Sequence, residues 1–295
     1  MLHKSLTLGI AALACAFLTA PTSHAEEISW AGCGISKKAF MTEMAKVYEE
    51  ETGVKINLQG GGATKGIRKT ADTSTDIGGS CRHAIPQPEE KGVTMTPIAW
   101  DAIVVVTHPS NPVKNITHEN LKKIFMGEIT NWKEVGGKDA AIDVFTRKGK
   151  ISGVGLVSRE LIFGDTDVEF KATEVFKSTG PLEKKLEKSP NAIALDGISS
   201  ARKRNLQFLS LNGIAPSKEN IASGDYILFR PLFIVTAKKS SKKVRDFLKF
   251  ARSKKGQGVI SSQGTVTLKE GKTLWPKYIK NMAKVTGKHK SLFEE

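Results

Sequence analysis

The sequence predicts an α/β fold organised around a parallel sheet, and three observations carry that expectation. Strand-like and helix-like segments alternate as βαβαβ between Ile28 and Ile77. Each of those strands runs into glycines, at Gly32-Cys33-Gly34, Gly60-Gly61-Gly62 and Gly78-Gly79. A fully apolar run, Ala102–Val106, reads as a buried strand.

Ile28-Ser29-Trp30-Ala31 is the first strand. Phe40, Met44, Val47 and Tyr48 then recur at helical spacing, with Ser36 placed as N-cap and Gly53 as the stop. Val54–Leu58 is the second strand and Ala63–Ala71 a short helix. Asp76-Ile77 is a third strand, leading into the loop from Gly78 to Ala84. After Ala102–Thr107 come Asn111-Pro112-Val113, a helix through Leu121 and Phe125, and Ile129-Thr130-Asn131-Trp132. Ile142–Phe145 is a strand that passes through Arg147 to a helix carrying Val157, Leu161 and Ile162. Ala192–Leu195, Leu206–Leu209 and Tyr226–Val235 read as strands, and Val244, Phe247 and Leu248 mark a late amphipathic helix. The basic run Lys272–Lys290 reads as a solvated face. Ligands of such sheets sit at the carboxyl ends of strands, where all three glycine clusters fall.

The start of the chain sets the expected compartment. A basic Met1–Lys4, an apolar Ser5–Ala20 and the small-residue site Ser23-His24-Ala25 read as a secretory signal peptide, residues 1–25. Cys15, after Ala12-Leu13-Ala14, offers a poorer lipoprotein-type alternative. No later stretch is long and apolar enough to span a bilayer, so an exported, periplasmic protein is expected. The formal charge of +15 favours anionic partners. Nucleic acid is a poor fit, because the lysines are dispersed and no nucleic-acid-binding pattern accompanies them. Catalysis also finds little support: Gly60-Gly61-Gly62 lacks the Lys-Ser/Thr ending of a P-loop, and neither a haem motif nor a nucleophile elbow is present. No enzyme activity, cofactor or metal is expected.

The order of motifs resembles one family, the phosphate-type substrate-binding proteins of bacterial ABC transporters. Asn111-Pro112-Val113, Leu121 and Ile124-Phe125-Met126-Gly127-Glu128-Ile129-Thr130-Asn131-Trp132 are similar to that family's N-P-V…L…I-F-x-G-x-I-x-N-W. Asn220-Ile221, Gly224-Asp225-Tyr226, Arg230-Pro231-Leu232, Gly256-Gln257 and Gly264 extend the likeness, from about Ile28 to Leu268. The resemblance implies a two-lobed periplasmic-binding-protein fold, type II-like, with the ligand in the interlobe cleft. Lobe I would comprise residues 26–102 and 225–295, and lobe II residues 103–224. It further implies a monomer that captures a small oxyanion, phosphate or a relative, and delivers it to an ABC transporter permease.

The expected ligand contacts lie on four loops, three of which (Gly32–Ser36, Gly62–Gly66 and Ser152–Val154) aim a helix start into the cleft, where backbone N–H groups and the helix dipole favour anions. They are Cys33, Gly34, Ile35 and Ser36 on the first loop, and Thr64 and Lys65 on the second. Ser80, Cys81 and Arg82 form the third, and Ser152, Gly153 and Val154 the fourth. Arg147 and Arg82 are the expected forks onto ligand oxygens. Asp101 resembles a family aspartate near the crossover, an acceptor for an oxyanion's proton or else a salt-bridge partner. The resemblance departs at several hydroxyl positions of the family: Cys33 is the small residue of the first loop and Ile35 follows it, Ala63 and Cys81 stand where serines are usual, and Val154 ends the Ser-Gly-Thr pattern. The two cysteines beyond the leader admit three readings. They are a disulfide in an oxidising compartment, free thiols binding or sensing a soft ligand such as an arsenic species or a metal, or a thiol nucleophile with His83 as base.

Overall fold

The computed structural model describes residues 26–285. The expected signal peptide and the end of the basic C-terminal run lie outside them. Twelve strands are described: β1 (Glu27–Gly32), β2 (Lys55–Gly60), β3 (Ile77–Ser80), β4 (Val93–Thr107), β5 (Asn115–Ile116), β6 (Asp143–Arg147), β7 (Glu174–Phe176), β8 (Ala192–Gly197), β9 (Gln207–Phe208), β10 (Ser210–Leu211), β11 (Phe229–Ala237) and β12 (Val266–Thr267). The sheet order is β2-β1-β3-β11-β4-β8-β6-β7, with β9 and β12 also on β4 and β5 paired with β10.

Two parallel groups stand at the ends of this order. β2, β1 and β3 are parallel in one, and β8, β6 and β7 in the other. The antiparallel strands β4 and β11 lie between them. β4 changes partners along its length: Val93–Ala102 pair with β11, and Ile103–Thr107 pair with β8. Its apolar run is fully buried on both faces because helices and strands of both groups cover it. This is a two-lobed α/β architecture in which β4 and β11 cross between the lobes. Among the described residues no helix is long and apolar enough to cross a membrane.

Four local expectations change. The cap of the first helix is Cys33 and not Ser36: the Ser36 N–H donates to Cys33 Sγ at 3.3 Å, and Ser36 lies inside the first turn. β3 does not stop at Ile77 but continues through Gly78-Gly79 to Ser80. The Trp30 ring explains those glycines, since a Cβ at Gly79 would lie 2.3 Å from its Cζ2 and one at Gly32 2.4 Å. The strand expected from Tyr226 begins at Phe229, because Tyr226 is buried in the preceding turn and donates its hydroxyl to the Ile103 carbonyl at 3.1 Å. Finally, the basic run Lys272–Lys290 is not simply solvated. Leu274–Val285 is a helix whose Leu274, Tyr278 and Met282 are buried at i, i+4 and i+8. It packs against residues 159–163 and sets the Trp275 and Tyr278 rings 5.9 and 6.2 Å from Trp100.

Candidate anion-binding site

A cavity of about 490 Å³ opens where the strand ends of the two lobes face each other. Four helix starts surround it. The first has Cys33 as N-cap, the second is Ala63–Ala71 after Gly62, and the third is Gly153–Ser158 after Ser152. The fourth, Thr179–Leu186 after Ser178, was not anticipated. Its signal was present in Ser178-Thr179-Gly180-Pro181, a small polar residue and an early proline after a strand. Gly62 caps the second helix at φ 94°, a backbone that non-glycine residues seldom adopt.

Of the expected contacts, Cys33, Gly34, Ile35, Thr64, Cys81, Arg147, Ser152, Gly153 and Val154 line this cavity. Lys38, Lys148, Lys177, Ser200 and Arg204 line it too and were missed, because their positions depend on how helices pack across the cleft. Five of the described lining residues are cations and none is a carboxylate. Lys38 and Arg204 are held by the buried Glu183, at 2.9 and 3.1 Å. Asp196 lies nearby; burial, followed by the charge of Glu183, pushes its carboxyl well above the usual range, so it adds little opposing charge.

Arg147 lies on the cavity wall. It donates to Thr179 Oγ1 at 2.5 Å, to the Lys177 carbonyl at 3.0 Å and to the Phe176 carbonyl at 3.4 Å. One N–H on each terminal nitrogen remains for a ligand.

Arg82 does not fit. It is off the cavity wall, and all five of its donors are used within the fold. Two fork onto Glu90 at 2.6 and 2.7 Å, and the others reach Thr64 Oγ1 and the carbonyls of His83 and Ile151. It thereby fixes Thr64 and has no N–H left over. Asp101 is likewise buried away from the wall, accepting from Arg230 at 2.9 and 3.2 Å and from the Ser199 amide and hydroxyl. The salt-bridge reading of Asp101 is the one the geometry matches. Ser36 and Ser80 lie behind the loops, hydrogen-bonded to backbone and to Cys33. The Lys65 side chain lies over Gly61, outside the lining.

Cys33 and Cys81 are both buried, free thiols, so the expected disulfide is not formed in this structure. Both line the cavity, and their titrations influence each other. Burial alone would raise the Cys33 thiol, but Cys81, hydrogen bonding with Ser36 and the Arg230 charge bring it down to about 7. His83, the conceivable base, is turned to Glu160 at 2.7 Å, and neither residue lines the cavity.

A ring of helix N-termini and cations between two lobes defines an anion-binding protein of the two-lobed kind. The sequence profile of the PBP superfamily domain matches residues 21–255, and the chain belongs to that superfamily. It is 32% identical over 254 residues to the phosphate-binding protein PstS of Borreliella burgdorferi, covering 83% of this chain and 91% of that one. The Bacillus subtilis phosphate-binding protein PstS is 27% identical over 233 residues, covering 77% and 76%. Among solved structures it is similar to a substrate-binding protein assigned to phosphate ABC transport from Clostridium perfringens, crystallised with phosphate. That match has TM-score 0.75 and 26% identity, over 82% of this chain and 99% of the other. An ABC-type phosphate transport receptor from Vibrio cholerae matches with TM-score 0.64 and 27% identity, over 82% and 100%.

Proposed function

We propose that this protein is an extracytoplasmic solute-binding protein that captures phosphate, or an oxyanion of the same shape, and presents it to an ABC transporter permease. The observation that carries the reading is the convergence of four helix starts with Arg147 on one cavity without a carboxylate in its described wall. The phosphate-binding relatives support it. The role is binding, as the names of the relatives support. The ligand contacts are the lining residues of the four loops, with Arg147 as the fork. Lobe I is residues 26–102 with the segment from 225, and lobe II residues 103–224, a division supported by the change of partners along β4. The protein acts as a monomer. Calorimetric titration with phosphate, arsenate, sulfate and molybdate is expected to give at least one affinity in the micromolar range or tighter. Silence to all four would reject the proposal.

Closure of the lobes relies on Gly153. A Cβ there would lie 2.4 Å from Cys81 Sγ and 3.1 Å from Ala63 Cβ, both on the opposite lobe. Gly153→Ala is therefore expected to weaken anion binding by about 1–3 kcal/mol through overpacking. Adding Cys81→Ala should recover part of that loss, because it removes the nearer obstacle. Equal affinities for Gly153→Ala and the unmodified protein, measured by calorimetry, would show that the lobes close without this contact.

A further inference from the structure

Cys33 and Cys81 bring to the cavity wall a thiol chemistry that capture of a phosphate-like anion does not require. Cys33 follows β1 and Cys81 follows β3, neighbouring parallel strands paired at Gly32 and Gly79. The strand pairing places both thiols on the same part of the cavity wall. Two points of chemistry narrow what such a pair could hold. No group of three or more His, Cys, Asp or Glu residues suited to a metal ion exists among the described residues. The wall also carries Lys38, Arg147 and Arg204, which disfavour a soft dication. A thiophilic centre that is uncharged and carries its own oxygens meets both conditions.

We infer that the cavity is also a dithiol site for trivalent arsenic, taken up as arsenous acid. The step is a condensation, As(OH)3 + 2 RSH → (RS)2AsOH + 2 H2O. Two As–O bonds break, two As–S bonds form, and each thiol proton leaves with a hydroxide as water. Arsenic stays trivalent, so no oxidant or reductant is required. The remaining hydroxyl faces the polar wall, where Arg147 has N–H groups to spare. This inference rests on the sulfur geometry and is independent of the phosphate reading.

The test uses the full protein, reduced with a phosphine and desalted without oxygen, and titrated with sodium arsenite. One equivalent is expected to bind and to mask both thiols against a disulfide reagent. Cys33→Ser and Cys81→Ser should each weaken binding by about a hundredfold or more, since each loses the second, tethered bond. X-ray absorption at the arsenic edge on the unmodified protein should show two sulfur neighbours, a readout that does not require either variant to fold. Two thiols still reactive at saturating arsenite, an oxygen-only arsenic shell, or serine variants that bind as well as the unmodified protein would each overturn the inference. Phosphate titration of the same preparation reports on the proposed function separately: arsenite binding without phosphate binding would leave the inference standing and remove the other.

Discussion

Replacing Arg230 by alanine is expected to destabilise the protein by about 3–5 kcal/mol, the cost of leaving a buried charge without its partner. Arg230 and Asp101 are both fully enclosed, 2.9 Å apart at their nearest atoms, on the paired crossing strands β11 and β4. The arginine also donates to the Cys81 carbonyl at 3.1 Å and to the Gly153 carbonyl at 3.3 Å. It therefore ties one loop of each lobe to the crossover, directly behind the cavity. Its loss would leave Asp101 with only the Ser199 amide and hydroxyl. Chemical denaturation should show a lower midpoint for Arg230→Ala, with partial recovery when Asp101→Asn is added to remove the orphaned charge. A change under about 1 kcal/mol would mean that water or local rearrangement satisfies the carboxylate.

Truncation of Arg147 is expected to act on affinity instead. Its guanidinium is anchored by Thr179 and the backbone of residues 176 and 177, with donors left over toward the cavity. Arg147→Ala should weaken phosphate binding by about 2–5 kcal/mol, as for other buried charge-assisted contacts. Arg147→Lys should recover only part, because an ammonium lacks the planar fork. The exposed Lys272→Ala serves as the comparison and should change affinity by less than about 0.5 kcal/mol. Calorimetry on the three variants separates the cases: equal, small losses would mean diffuse electrostatic attraction and no formed contact. Arg82→Lys, by contrast, should chiefly lower the melting temperature, since every Arg82 donor is spent inside the fold.

Arg82 and Arg147 show where reading the sequence succeeds and where it stops. Both arginines stand beside glycine-rich anion loops, and nothing in their immediate neighbours separates them. The difference is Glu90, eight residues after Arg82, which a short helical turn brings back into a two-pronged pair. Among the described residues no carboxylate hydrogen-bonds to Arg147, so its charge stays available to the cavity. Local pattern identifies a cation near a loop; tertiary packing decides which anion it meets.

The α/β class, the bounds of the Ala63–Ala71 helix, the buried strand through Ala102–Val106 and three of the four helix starts around the cavity were legible in the residue pattern. Those features follow from backbone stereochemistry and hydrophobic period, which act over a few residues. Tertiary packing was needed to pair Asp101 with Arg230 and to bring Lys38 and Arg204 to the wall through Glu183. It also set the Cys33 and Cys81 thiols on one cavity wall. Each of these is a pairing across tens of residues or more. Hydrogen bonds and ion pairs are short-ranged and directional, so their partners are fixed by strand order and helix packing and leave no periodic trace along the chain.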